Sequence, residues 1–364
     1  MKIKKWKWII VFCVSVFMIV ICTILYLNRN VHSNQEIVIG AILPITGNSA
    51  QFGSQAREGI ALAIERVNAD GGVNGRRIDY IIEDGQADPR ISIEAYQKLK
   101  SQDIKFILSI ISSVDLAILP FAKKDNVVFI SHATHPNLSN QGKNIFRHSN
   151  TVESEVDLVA GILNMVSGRI TIAAVVDEYG VIFKNMLSER LKSKKNIIVN
   201  SIDIGRDAFE FKAIAAKVIL LKTKVIILCG NNRNLYEIVL RLKELKYSGK
   251  IITTLGFVTS GAAAACRENI KGAWGINFDI NKTQEGYEEL QQEYQNKLGE
   301  KIKPGTVLFY NTILLLTTAI KEVGNDPMRV SEYLANRRQF KGKGEKMIIK
   351  NSNDITPELK AFKF

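Results

Sequence analysis

Cysteine and histidine are scarce in this chain, four of each in 364 residues. No C-x-x-C and no H-E-x-x-H occurs, so the usual sequence routes to a zinc site are absent. His132, His135 and His148 form the only histidine cluster. No cysteine or tight acidic group joins them, and they read as loop histidines with ordinary hydrogen bonds. Also missing are G-x-G-x-x-G after a strand, G-x-x-x-x-G-K-[ST] and G-x-S-x-G, the signatures of dinucleotide sites, phosphate loops and nucleophile elbows. Asp177 and Glu178 end a strand together, but adjacent strand residues point to opposite faces and make a poor acid–base pair. Basic blocks interleaved with aromatics are lacking too. The formal net charge is +13, yet five positive charges (Lys2, Lys4, Lys5, Lys7 and Arg29) flank one apolar segment and the rest are scattered. That is a solvated basic surface rather than a nucleic-acid footprint. No catalytic residue, metal, cofactor or nucleic-acid partner is expected.

What is present begins at the N-terminus. Residues 8–27, WIIVFCVSVFMIVICTILYL, run for twenty positions without a charge. At about 1.5 Å per residue such a helix spans a hydrocarbon core of roughly 30 Å. Basic residues before it favour a cytoplasmic tip, which sends everything after Arg29 outward. Residues 1–35 therefore read as a single-pass membrane anchor. The alternative is a cleaved leader, for which Val31-His32-Ser33 is a weak cleavage site and Cys22 a lipid site disfavoured by the bulky Ile21. Either way the globular part is extracytoplasmic. Cys13 and Cys22 lie within the apolar segment. Oxidising surroundings permit a bridge between Cys229 and Cys266, but Cys229, ending a β-rich run, reads better as a buried free thiol.

From Glu36 onward short β-branched runs such as EIVIGAILP, KFILSII, RITIAAVVD and KVIILCG alternate with amphipathic helical stretches. Continuous apolar strands between helices mean parallel sheets covered on both faces. The pattern restarts near residue 150, where RHSNTVESE lacks strand character and connects two α/β lobes. The expected division is 36–152 plus 281–340 for the first lobe and 153–280 plus 341–364 for the second. Asp88 before Pro89 marks a helix start. The stretch TVLFYNTILLLTTAIKEVG is apolar on most faces and is expected inside a lobe.

The stretch ILPITGNSAQFGSQAREGIALAIERVNADGGVNGRRI, residues 42–78, resembles the start of type I periplasmic binding proteins. The similarity is to the branched-chain amino-acid (Leu/Ile/Val) family of ABC-transporter substrate-binding proteins. EDGQADP, ISSVDLAILPFAKKDNVVFISHATHPNL, DEYG and the closing DITPELKAFKF extend it, in order, over residues 36–364. The resemblance implies two Rossmann-like lobes joined by a three-crossover hinge, closing on a small ligand that passes to a membrane permease and its ATPase.

Site residues follow from that match. In IISSVDLA, Ser112 stands at a strand-to-helix junction, where it would cap a helix beginning near Val114. Strand carboxyl ends and helix N-termini are also where open α/β sheets hold anions. The resemblance gives Ser112 the ligand's α-carboxylate, with Ser113 beside it. In SHATHP it gives Thr134 a hydroxyl contact and places His132 and Ala133 just before it. Phe52 becomes a first-lobe wall, and Tyr179 the aromatic that stacks from the opposing lobe. Two departures matter. Asn231 or Asn232 replaces a tyrosine. Leu255 stands near the position where relatives carry an acidic group for the ligand's ammonium, and no Asp or Glu adjoins it in sequence. The carboxylate half of the site is expected to be kept and the ammonium half altered. The resulting expectation is an extracytoplasmic solute-binding protein for a small carboxylate-bearing ligand. The alternative is a ligand-sensing module of the same fold coupled to a signalling partner.

Overall fold

The computed structural model describes residues 15–18, 21, 36–138, 140–206, 209–337, 339–349 and 353–364. Most of the apolar segment 8–27, with Cys13 and Cys22, lies outside the described residues, as does the junction at 22–35.

The chain first alternates β1 (Ile37–Leu43), α1 (Ala50–Ala69), β2 (Ile78–Asp84), α2 (Pro89–Ser101), β3 (Phe106–Ser109), α3 (Ser112–Ala122), β4 (Val128–Ser131) and β5 (Ile145–His148). It then crosses to α4 (Val152–Ile162), β6 (Gly168–Val175), α5 (Glu178–Leu191), β7 (Ile197–Ile204), α6 (Phe211–Leu220), β8 (Val225–Cys229), α7 (Tyr236–Glu244), β9 (Lys250–Thr253), α8 (Leu255–Thr259), α9 (Ala262–Ala265) and β10 (Trp274–Phe278). It returns through α10 (Tyr287–Leu298), α11 (Pro304–Val323), α12 (Pro327–Asn336), β11 (Gln339–Lys341), β12 (Lys346–Ile348) and β13 (Asp354–Ile355), and finishes in β14 (Leu359–Lys363).

Two six-stranded sheets result, ordered β13-β5-β4-β3-β1-β2 and β14-β10-β9-β8-β6-β7. All neighbours are parallel except β14 against β10. Each sheet is covered on both faces, which is why its central strands are apolar throughout rather than alternating. The first packs α1, α10, α11 and α12 on one side and α2 and α3 on the other. The second packs α4 and α5 on one side and α6 through α9 on the other. Helix starts follow the local chemistry. Asp88 accepts from the backbone N–H groups of Arg90 (2.8 Å) and Ile91 (3.2 Å) ahead of Pro89. Asp177, which follows the end of β6 rather than lying in it, caps α5 through Gly180 N–H at 2.7 Å. Helix α11 has the length and hydropathy of a membrane span, but most of it is buried against the first sheet.

The lobes are joined by three crossovers, after β5, β10 and β13, and backbone bonds stitch these together. Ser149 N–H donates to Ile355 O (3.1 Å), Asp279 N–H to Glu358 O (2.8 Å) and Asn281 N–H to Gly344 O (2.9 Å). Two features differ from the sequence reading. RHSNTVESE opens inside a strand, because Arg147 and His148 belong to β5. Residues 341–349 and 353–355 pack on the first lobe rather than the second, and only β14 joins the second sheet. A buried ion pair between Arg147 and Asp354 (2.7 Å), 207 residues apart, draws β13 alongside β5.

Candidate ligand-binding cleft

The carboxyl ends of β3, β4 and β5 in one lobe face those of β8, β9 and β10 in the other. The lobes touch at the rim: Gln55 Nε2 donates to Thr259 O (3.1 Å) and Ser49 Oγ to Asn231 O (3.0 Å). Between them lies a cavity of about 50 Å³. By that measure a water needs about 10–15 Å³, so only a compact molecule fits this closed arrangement.

Eight of the nine expected residues line this cavity: Phe52, Ser112, His132, Ala133, Thr134, Tyr179, Asn231 and Leu255. Ser113 does not. Its side chain faces a second opening at the cleft mouth, shared with Asp177, Arg206 and Asn232.

On the first-lobe wall, Ser112 is the first residue of α3 rather than its cap, so the helix starts two residues before the expected Val114. The cap position falls to Ile111, whose φ of +90° is a strained conformation for a β-branched residue. The first N–H groups of α3 follow this turn, beside the cavity-lining Ser112, and the helix itself leaves them unbonded. Among the described residues, neither the Ser112 hydroxyl nor the Thr134 hydroxyl has a hydrogen-bond partner. Ala133 offers less than expected, because its N–H donates to Ser131 Oγ at 3.1 Å. The His132 ring nitrogens are also engaged, with Ser109 O (3.2 Å) and Thr312 Oγ1 (2.8 Å), while its ring stacks on Phe309. Burial holds His132 well below the ordinary imidazole range, so it meets the cavity neutral.

The second-lobe wall is organised by a residue that the sequence reading missed. Glu155, in the first turn of α4, is 0% exposed and lines the cavity. Tyr179 donates its hydroxyl to Oε2 at 2.8 Å, and Leu255 its backbone N–H to Oε1 at 2.5 Å. The absence of an acidic group near Leu255 is therefore corrected: one arrives from the first crossover helix, 100 residues earlier in the chain. Burial lifts the Glu155 carboxyl to about 7 against the pull of its two donors. Gly256 lets α8 approach, since a Cβ there would stand 2.2 Å from Asn231 Oδ1. Phe278, Leu308 and Phe309 complete the apolar lining. The signal for Glu155 was its place in the first turn of a helix entered directly from a hinge, together with the Thr151 cap that donates no charge but accepts Ser154 N–H at 3.1 Å.

Cys229 and Cys266 are both buried and free.

Two α/β lobes with strand ends converging on an enclosed, partly polar cavity define a clamshell binder rather than a catalyst. Residues 36–343 match the periplasmic binding protein family. A Leu/Ile/Val-binding protein homologue of Brucella abortus is 23% identical over 314 residues, 84% of each chain. A leucine-binding protein from Thermotoga maritima superposes with a TM-score of 0.82 at 19% identity, covering 90% of this chain and 95% of that one. The substrate-binding protein of a branched-chain amino-acid transporter from Streptococcus pneumoniae, solved with isoleucine, gives 0.81 at 18% identity, covering 91% and 96%. The chain belongs to the periplasmic binding protein family and is a solute-binding protein rather than an enzyme.

Proposed function

We propose that this chain is the extracytoplasmic receptor of an ABC-type uptake system, capturing a compact carboxylate-bearing molecule, an amino acid or close analogue. The permease and its ATPase would receive the ligand, and the segment 8–27 would tether the receptor to the membrane. What carries the reading is the pair of unpartnered hydroxyls, Ser112 and Thr134, beside the open end of α3. Such a cluster of donors is made for an anion. Glu155 on the opposite wall suits the ammonium of a zwitterion, since a buried ammonium needs a partner. Capture then proceeds by closure, with the second wall adding contacts made only in the shut form, the one way a ligand shifts such an equilibrium. The relative solved with isoleucine supports the amino-acid class.

A thermal-shift panel of amino and organic acids on residues 36–364, which hold both sheets and their cores, tests this. A ligand at a hundredfold its Kd adds about 2.7 kcal/mol. Branched aliphatic acids should stabilise the protein and their decarboxylated amines should not. Equal stabilisation by the amines would remove the anion site.

A further inference from the structure

We propose that Asp115 is a positioning residue of the first-lobe wall that must be neutral for a carboxylate to enter, so that anion capture draws one proton from solvent onto its side chain. This rests on the carboxylate reading of the cleft. Asp115 is 0% exposed in the first turn of α3. It follows Ser112 by three residues, so the two share a helix face with Cβ atoms about 5–6 Å apart. One carboxylate oxygen, Oδ2, accepts from Ser131 Oγ, and Ser131 Oγ accepts from Ala133 N–H. The carboxyl therefore sits between the two arms of the wall, the start of α3 and the turn that carries Thr134. Its other oxygen, Oδ1, is buried without a partner.

No positive group offsets a charge there. Only the Ser131 hydroxyl bonds Asp115, and burial lifts its carboxyl to about 7. The titratable side chains of the surrounding elements are occupied elsewhere: Tyr96 with Asp125, His132 with Thr312, His135 with Asn137 N–H, and Arg147 with Asp354. Asp115 does not line the cavity, but it stands one helical turn behind Ser112, close to any anion held there. Two carboxylates in one sheltered site do not both stay ionised. The ligand's own acid is much the stronger, so the protein side chain takes the proton.

The probe is 4-methylpentanoate, a carboxylate that carries no amine and stays ionised above pH 6, titrated calorimetrically into residues 36–364 carrying Glu155→Gln, because Glu155 lines the same cavity and would otherwise take up a proton itself. At pH 7, heats in phosphate and Tris buffers should differ by the uptake of roughly half a proton, and Kd should weaken about thirtyfold between pH 6 and pH 8.5. Asp115→Asn should abolish the uptake and flatten the profile. A pH-independent Kd with no uptake, in this protein or in the unaltered one, overturns the proposal. Uptake that persists in the asparagine variant also overturns it. If neither this probe nor any acid of the panel binds, the carboxylate site itself is lost, and this inference with it.

Discussion

On the first-lobe wall the groups open to the cavity are hydroxyls and helix-end N–H groups, and the buried carboxyl of Asp115 stands behind them. On the second-lobe wall the carboxyl of Glu155 itself faces the cavity, held by Tyr179 and Leu255. Burial raises both acids to about 7. Under the proposed function their protonation has opposite consequences. A proton on Asp115 admits an anion, whereas a proton on Glu155 removes the partner of a cation. The same desolvation thus serves two roles, and what separates them is which groups stand between carboxyl and ligand. The two acids have the same effect on the fold. A carboxyl whose folded pKa is raised supports the native state fully below its unfolded pKa, near 4, and that support is lost as pH rises through about 7.

The largest expected effect separates the walls. Glu155→Gln should weaken binding of L-leucine about a hundredfold, the scale for removing one partner of a buried pair. The same change should not weaken 4-methylpentanoate, and should strengthen it above pH 7, where the charge of Glu155 opposes an anion in the same cavity. Equal losses for both ligands in calorimetry would erase the distinction. Next come Ser112→Ala and Thr134→Ala, each expected to weaken both ligands about tenfold, since each removes a hydrogen bond to a charged group. Unchanged Kd in both variants would take the anion from the first wall. The smallest effect is on stability without ligand. Asp115→Asn should raise Tm at pH 8 relative to the unaltered protein, at roughly 2–4 °C per kcal/mol regained. That gain should vanish by pH 4, and an equal gain at both values would mean the carboxyl is not shifted.

The sheets were legible because their central strands are continuous β-branched runs between amphipathic helices, a pattern set locally. Strands β5 and β13, side by side at one end of the first sheet, were not. Arg147, His148 and Asp354 are polar, and they are buried only because residues 207 positions apart pair with one another. The cavity residues at strand ends were readable for a similar reason, since a parallel sheet places them by topology. Glu155 escaped because a helix, not a strand end, delivers it, and nothing near Leu255 in sequence points to it. Ser112 was placed correctly but assigned the wrong local role. The strained Ile111 takes the cap position, and no sequence rule anticipates a β-branched residue at positive φ.

The C-terminal tail enters both sheets, with Asp354–Ile355 in one and Leu359–Lys363 in the other. Only Thr356, Pro357 and Glu358 lie between, a tether that at full stretch reaches roughly 13–14 Å between the flanking Cα atoms. Under the proposed closure such a short leash would fix the pivot, and the jaws would swing widest on the side away from it, where Asn48 meets Arg233 through a 3.3 Å backbone bond. A solute would then enter and leave by that far lip, and lengthening the leash by a few glycines would loosen the bite without touching a single group that faces the solute.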